Sequence, residues 1–193
     1  MKSLKIVLAL FAILLASSAS SIAATDDIES RSMASRAVIK QFFGSLKGEL
    51  VSGLKAGGPL NAIDVCNSKA PEIAASHSKA KGWSVGRTSL KVRNQGNTPD
   101  AWEHKVLMSF DARKAKGEDV TKMEFAEVVE ADGKKEFRYM KAIPTAQKPC
   151  LACHGGKINP EVASKLDALY PQDKARGYSV GDIRGAFTIR QPM

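Results

Sequence analysis

The stretch MEFAEVVEADGKKEFRYMKAI (residues 123–143) decides the fold class. Apolar and polar residues alternate with a period of roughly two before and after Asp132-Gly133, which is typical of half-buried β-strands. An Asp-Gly pair accepts the positive φ angles that a tight hairpin turn requires. The stretch therefore predicts two antiparallel strands joined by a short turn, and with them an antiparallel sheet.

Two helices are predicted upstream of this hairpin. Apolar residues recur at helical spacing across residues 26–55, which places them on one face of a helix. Residues 57–59, Gly-Gly-Pro, end this helix, because glycine frees the backbone and proline cannot continue the hydrogen-bond ladder. A second helix begins at Pro59, and Pro71 is expected to end or kink it near Ala70.

The remaining segments complete an α+β domain. Residues 83–92 carry the β-branched residues and glycines of a strand, and Asp100 is placed to cap a third helix. A short helix is predicted over residues 161–169, and a closing strand over residues 182–190. This order predicts a mostly antiparallel sheet flanked by helices, with a long N-terminal helix, in one domain over residues 25–193.

The start of the chain has the pattern of a secretory signal. A short basic start precedes an apolar run at residues 6–16, and small residues follow it. The run is shorter than the about 18 apolar residues that a membrane span needs. We therefore predict a signal peptide at residues 1–24, cleaved near Ala23 or Ala24. The mature protein is then periplasmic and has no membrane span.

The charge balance is positive but unpatterned. The formal net charge is +9, and a basic protein can bind nucleic acid or anionic membranes. Lysines and arginines are scattered, however, without a block of like charges, and an exported protein rarely meets DNA. An evenly charged, solvated surface is the better interpretation, and nucleic acid is not an expected partner.

The segment KPCLACHGG (residues 148–156) carries two cysteines at the spacing Cys-x-x-Cys, followed at once by a histidine. A structural zinc site needs a second pair of ligands, and Cys66, His77 and His104 form no such pair. A thioredoxin-like redox site opens a helix in a βαβ unit and has no use for the histidine. A disulfide across so short a loop would add little stability. The flanking proline and glycines predict that the segment is a loop.

Haem c accounts for the two cysteines and the histidine together. Each cysteine sulfur can add across one vinyl group of haem, and the adjoining histidine then becomes an axial ligand of the iron. Export agrees with this interpretation, because c-type haem is attached on the outer side of the bacterial membrane. One motif predicts one covalent haem c, held by Cys150 and Cys153 with His154 on the iron.

The third cysteine, Cys66, has two interpretations from the residues alone. It shares a helical face with Ile63 and Ala70, and a free cysteine buries well as a small apolar residue. An exported protein nevertheless normally pairs or removes its cysteines, and Cys66 has no partner once Cys150 and Cys153 hold haem. Coordination to ferric iron would account for this unpaired cysteine, because the thiolate would then be bound and protected from other reactions. The residues leave the two interpretations open.

Three basic residues are candidates for binding the haem carboxylates. Arg87, Lys91 and Arg93 fall on one face if residues 83–93 are extended, and carboxylates favour the planar fork of arginine. A solvated strand face explains the same pattern, and the sequence does not decide between the two.

Four separated segments resemble a known family of exported mono-haem c domains: VCNSKAPEIA (65–74), GWSVGRTSLKVRNQGNTPDAWE (82–103), KPCLACHG (148–155) and GYSVGDIRGAFTI (177–189). The family has a PAS-like fold and was long catalogued as a domain of unknown function. Its members stand alone or form the sensing module of histidine kinases and chemoreceptors. The resemblance implies that His154 and Cys66 are the axial ligands of the iron.

Ligation of the iron by His154 and Cys66 would restrict the functions that the haem can have. A thiolate stabilises Fe(III), so we expect a low reduction potential. The iron then has no open site and no acid–base constellation stands out, so we expect no enzyme activity. We expect a sensor of redox change or of NO or CO, in which loss of the Cys66 bond moves its helix and a separate partner receives the signal. The alternative is a periplasmic mono-haem electron carrier. The sequence names no partner and does not determine the oligomeric state.

Overall fold

A computed structural model describes residues 27–130 and 133–193 of the chain with their side chains. The predicted signal peptide, residues 1–24, and its cleavage near Ala23 or Ala24 lie outside these described residues and stay predictions. Within the described ranges, no helix combines the length and the apolar composition that crossing a membrane requires.

The N-terminal part of the fold is one long helix with a break. α1 (Lys2–Lys81) contains two residues with non-helical backbone angles, Gly57 (φ −163°, ψ 25°) and Gly58 (φ 66°, ψ −161°). Glycine adopts the positive φ of Gly58 without strain, so the predicted break at residues 57–59 is confirmed. We call residues 27–56 the first arm of α1 and residues 59–81 the second arm.

The two arms pack against each other in antiparallel orientation. Near the break, the Asn61 side-chain amide donates to the Gly53 carbonyl at 3.1 Å. A Cβ atom on Gly53 would lie only 2.9 Å from a methyl group of Val65, so the absence of a side chain permits the close approach. Far from the break, Ser45 Oγ lies 3.4 Å from His77 Nε2.

The predicted end of the second helix near Ala70 is wrong. α1 continues through Pro71 to Lys81, although proline removes one backbone hydrogen bond from a helix interior. Ala70 is buried, and Ile73 and Ala74 pack against the core of the domain. Burial of this apolar face outweighs the local preference of proline, which sequence spacing alone does not measure.

Four strands form a single antiparallel sheet in the order β1-β4-β3-β2. They are β1 (Ser84–Thr88), β2 (Glu124–Ala131), β3 (Lys134–Pro144) and β4 (Ile183–Pro192). Ala131 pairs with Lys134 across the turn, and Gly133 has a φ of 70°, so the predicted hairpin is confirmed. The α+β class with an antiparallel sheet, flanking helices and a long N-terminal helix is confirmed as well.

The first strand is shorter than residues 83–92. It ends at Thr88, after which the chain turns. The Ser89 hydroxyl lies within hydrogen-bond distance of the Arg184 carbonyl (2.8 Å) and of the Lys91 carbonyl (3.1 Å). Because Ser89 holds this turn against β4, residues 87–93 are not one extended face.

Helices cover both faces of the sheet. The first arm of α1 lies on one face, where the buried cluster consists of Val38, Ile39, Phe42, Val85, Phe137, Tyr139, Phe187 and Ile189. α2 (Ala101–Ala115) lies on the other face, where the cluster consists of Val106, Leu107, Phe110, Val120, Met123, Met140, Ala142 and Ala186. The predicted Asp100 cap of α2 is confirmed, because the Asp100 carboxylate accepts from the Glu103 backbone N–H at 2.8 Å.

Two shorter helices complete the fold beside the second arm. α3 (Leu151–His154) is a single turn, and α4 (Pro160–Leu169) begins with proline after the Asn159 cap. α4 packs on the second arm through a third buried cluster of Ile63, Val162, Leu166 and Tyr170. The cysteine segment is therefore anchored next to the second arm of α1.

We predict that Phe42→Ala lowers the free energy of unfolding by about 3–5 kcal/mol, because a fully buried aromatic ring leaves a cavity. Its neighbour Phe43 is 48% exposed, so Phe43→Ala is the matched control and should cost about 1 kcal/mol or less. Urea unfolding followed by circular dichroism measures both. Equal losses in the two variants would contradict the assignment of the core face.

Candidate cofactor site

One cavity, of about 220 Å³, brings together most of the residues that the sequence singled out. It lies between the two arms of α1, the adjoining ends of β1 and β4, and the cysteine segment. Its chemically active lining residues are Cys66, Arg87, Arg93, Cys150, Cys153, His154, Tyr170 and Arg184. Apolar side chains, among them Leu50, Leu54, Ile63 and Leu166, form much of the remaining wall.

The cysteine segment is a helical turn, not the predicted loop. The Cys150 carbonyl accepts from the backbone N–H groups of Cys153 (3.2 Å) and His154 (2.9 Å). Residues three and four positions apart share one face of a helix, so both thiols and the imidazole line the same cavity. Gly155 ends the turn, where a Cβ atom would lie 2.7 Å from the Leu151 carbonyl oxygen.

All three cysteines are free thiols. Cys66 is reached by solvent, yet burial raises the pKa of its thiol, and the nearby guanidinium groups of Arg87, Arg93 and Arg184 oppose that shift. The two observations agree if the side chain faces the cavity instead of bulk water. Burial likewise raises the pKa of the Cys153 thiol. Cys150 and Cys153 are thus available for covalent attachment, and Cys66 is available as a third sulfur.

His154 is held as a neutral imidazole. Burial is the largest cause that lowers its pKa to about 3, and the positive charges of Arg184 and Arg93 act in the same direction. Nδ1 lies 2.8 Å from the Ala175 carbonyl oxygen, which can only accept, so Nδ1 carries the proton. The lone pair of Nε2 is then free for a metal ion, and a hydrogen bond of this kind orients a histidine ligand. Arg184 Nε lies 3.2 Å from Nδ1 and 3.4 Å from Nε2 of the same ring.

Arg93 fastens the cysteine turn to the segment that orients His154. It pairs with the buried carboxylate of Asp173 at 3.1 Å and donates to the carbonyls of Cys153 (2.6 Å) and Ala175 (3.2 Å). Burial disfavours the charge of Asp173, but hydrogen bonds from Arg93, Arg176 and the Ala175 N–H outweigh it and keep the pKa of Asp173 below its usual value. The ion pair between Arg93 and Asp173 therefore holds the cysteine turn and the segment around Ala175 in place.

Of the three basic residues that the sequence predicted to bind carboxylates, two line this cavity and one does not. Arg87 and Arg93 line it, whereas Lys91 lies outside, with Nζ 4.9 Å from the centre of the Tyr178 ring and 3.3 Å from the Arg176 carbonyl. The difference arises because β1 ends at Thr88 and the chain turns before Lys91.

Arg184 lines the cavity as well, and reasoning from the sequence missed it. It is the second residue of β4, next to Gly185, where a Cβ atom would lie 2.3 Å from the Thr88 carbonyl oxygen. The close approach of β4 to β1 at this glycine puts Arg184 beside His154. In the sequence, the only hint of this role is that an arginine precedes a glycine at the start of the closing strand. That hint cannot be interpreted without knowing which strand pairs with β4.

We predict that Asp173→Asn destabilises the protein by about 3 kcal/mol near neutral pH, because it leaves the charge of Arg93 buried and unpaired. Since the pKa of Asp173 is lowered by folding, its contribution is complete above the usual value of 3.8 and is lost as the pH falls through the lower folded value.

Urea unfolding at a series of pH values measures the difference between wild type and variant, which should shrink in acid. Asp167→Asn is the matched control, because Asp167 also pairs with an arginine but its side chain is 67% exposed. A difference that is the same at every pH would contradict the ionic role of Asp173.

The comparisons with known proteins agree with this architecture. The sequence profile of the Tll0287-like family matches residues 13–192. The crystal structure of the cyanobacterial heme-protein Tll0287 is similar in fold, with a TM-score of 0.63 and 24% sequence identity over 84% of this chain and 95% of that chain. No curated protein sequence matches. Because the family profile spans most of its length, the chain belongs to the Tll0287-like family.

Proposed function

We propose that this chain is a periplasmic c-type haem protein in which Cys150 and Cys153 attach one haem while His154 and Cys66 ligate its iron. The observation that carries the proposal is the convergence of these four side chains on one cavity, although Cys66 is far from the others in sequence. The structurally similar Tll0287 is described as a heme-protein, which supports the same class of cofactor.

The residues of the cavity fit this cofactor. The attachment residues are free thiols, the imidazole is neutral with its Nδ1 proton engaged, and apolar side chains such as Leu50 and Leu54 offer contacts for a flat macrocycle. Guanidinium groups at the wall, that of Arg87 among them, are suited to carboxylates. A zinc site is less suited, because the described residues contain no cluster of three or more metal-ligating side chains.

Each residue has a defined task. Cys150 and Cys153 would hold the haem through thioether bonds to its two vinyl groups, and such additions of a thiol across a double bond need no oxidant or reductant. The Ala175 carbonyl accepts the hydrogen bond from Nδ1–H of His154 and so fixes the orientation of the imidazole. As an iron ligand, the thiolate of Cys66 would favour Fe(III). Bound haem supplies an iron that changes between Fe(III) and Fe(II) and can take NO or CO when a ligand leaves.

A sensor is the function we favour. Cys66 lies on the second arm of α1, close in sequence to the break at Gly57-Gly58, whereas His154 is anchored by Ala175 and by the same turn as the attachment cysteines. Cys66 is therefore the ligand that can leave, and its release would free the second arm to shift about the break. A change of redox state, or NO or CO, is the proposed signal, and a separate protein is the proposed receiver.

A second function is electron transfer. Cys150, Cys153 and His154 are only half-buried, so a cofactor attached there would present an edge near the surface, where a redox partner can approach. This function requires that Cys66 stay bound in both oxidation states. Neither function uses an open iron site, and we propose no enzyme activity.

Covalent attachment is tested on the purified wild-type protein and on Cys150→Ala, Cys153→Ala and Cys66→Ala. We expect wild type and Cys66→Ala to keep their pigment after acid–acetone extraction and to give a c-type pyridine haemochrome spectrum. Cys150→Ala and Cys153→Ala should give altered spectra, because one thioether is missing in each. A colourless wild type, or one whose pigment is extracted, would contradict the proposed function.

The role of Cys66 is tested by the spectrum of the ferric iron. Cys66→Ala should lose the low-spin thiolate signature and shift the reduction potential to a more positive value, because Fe(III) is no longer stabilised. His77→Ala is the control, since His77 lies between Ser45 and Phe42 outside the cavity. An unchanged ferric spectrum in Cys66→Ala would remove the thiolate from the ligand set.

The same spectra distinguish the two functions. Wild-type protein that loses the thiolate on reduction and takes up CO rapidly is the outcome expected of the sensor. Retention of the thiolate in the reduced protein, without CO uptake, is the outcome expected of the electron carrier.

A further inference from the structure

Two of the three arginines that line the cavity have no carboxylate partner among the described residues. Arg93 pairs with Asp173. Arg184 contacts the His154 ring, the Ser89 hydroxyl at 3.1 Å and the Lys91 carbonyl, and its guanidinium lies over the Tyr178 ring. Within the described part of the chain, the Arg87 guanidinium takes part in no ion pair or side-chain hydrogen bond.

Both arginines are half-buried and line the cavity. Burial lowers the pKa of Arg87 and of Arg184, and an unpaired charge in such a place is strongly destabilising. The groups of opposite sign that face Arg87 are Cys66 and Tyr170. Tyr170 stays neutral, because burial raises its pKa to about 12, and Cys66 is assigned to the iron. The missing negative charge must therefore come with the ligand of the cavity.

We propose that Arg87 and Arg184 are the residues that bind the two carboxylates of the haem, and that Arg93 and Lys91 are not. The inference rests on the proposed function and divides the arginines of the cavity into two roles. Two unpaired guanidinium groups match two carboxylates in charge and number, and the arginine fork suits a carboxylate better than an ammonium group does.

The two arginines line the same cavity from neighbouring strands. Arg87 lies on β1 and Arg184 is the second residue of β4, and these neighbouring strands pair through Thr88 and Ala186. Arg184 Nε lies 3.2 Å from Nδ1 and 3.4 Å from Nε2 of His154, and Nε2 is the atom that would hold the iron. A metal ion on Nε2 would compete with the contact to that atom and would leave the Arg184 guanidinium available for a carboxylate.

The two excluded residues are already engaged. The Arg93 guanidinium is used by Asp173 and by the carbonyls of Cys153 and Ala175. Lys91 is exposed and lies over the Tyr178 ring outside the cavity. Arg93 is thus a positioning residue for the cysteine turn, and Lys91 contributes only to the outer surface.

The test uses the full haem-loaded protein and the variants Arg87→Gln, Arg184→Gln, Arg87→Lys and Lys91→Gln. Resonance Raman spectra report the bending modes of the haem propionates, and spectroelectrochemistry reports the Fe(III)/Fe(II) potential. We expect Arg87→Gln and Arg184→Gln each to shift the propionate modes and to make the potential more negative, because a positive charge near the iron is lost. Arg87→Lys should keep the potential near that of wild type while still shifting the modes.

The controls separate a direct contact from loss of charge. Arg113→Gln also removes one positive charge, but Arg113 pairs with Glu118 away from the cavity, so neither signal should move. Lys91→Gln should behave like Arg113→Gln. Unchanged propionate modes in both Arg87→Gln and Arg184→Gln would overturn the inference, as would a shift in Lys91→Gln as large as theirs.

Failure of this inference is distinguishable from failure of the proposed function. The pyridine haemochrome of the same samples reports whether haem is covalently bound. Covalent haem with unmoved propionate modes overturns only the assignment of Arg87 and Arg184. Absence of covalent haem from wild type overturns the proposed function and, with it, this inference.

Discussion

The close antiparallel contact between the two arms of α1 is the constraint on which the site depends. Gly53 has no side chain, so the second arm can approach it at Ala62 and Val65. The break at Gly57-Gly58 lets the chain reverse within a few residues. As a result, Leu50 and Leu54 of the first arm and Cys66 of the second arm line one cavity. A bulkier residue at position 53 would separate the arms and open the wall that carries Cys66.

The electrostatics of the cavity divide between scaffold and ligand. The pair of Arg93 and Asp173 is complete within the chain and holds the Cys153 and Ala175 carbonyls, so it belongs to the fold. Arg87 and Arg184 lack such a partner among the described residues. Buried charges are tolerated when they are paired or when a ligand completes them. Arginine therefore has two roles in one cavity. Arg93, which is paired with Asp173, supports the fold, whereas Arg87 and Arg184 are available for a ligand.

Local patterns predicted most of the secondary structure, because turns, caps and alternation depend on neighbours in sequence. The hairpin at residues 123–143, the break at residues 57–59 and the Asp100 cap all follow from such signals. Predictions failed where packing outweighed local preference. Pro71 does not end its helix because one face of that helix is buried. β1 stops at Thr88 because Ser89 binds the Arg184 carbonyl across the sheet.

The site shows the same division. The sequence by itself brought two thiols and an imidazole together, since Cys150, Cys153 and His154 are close in the chain. Only the tertiary structure decided what faces them. It brings Cys66 to the cavity, adds Arg184 and leaves Lys91 outside. The physical reason is that these placements depend on helix–helix contact at Gly53 and on strand pairing at Gly185, which join residues far apart in sequence.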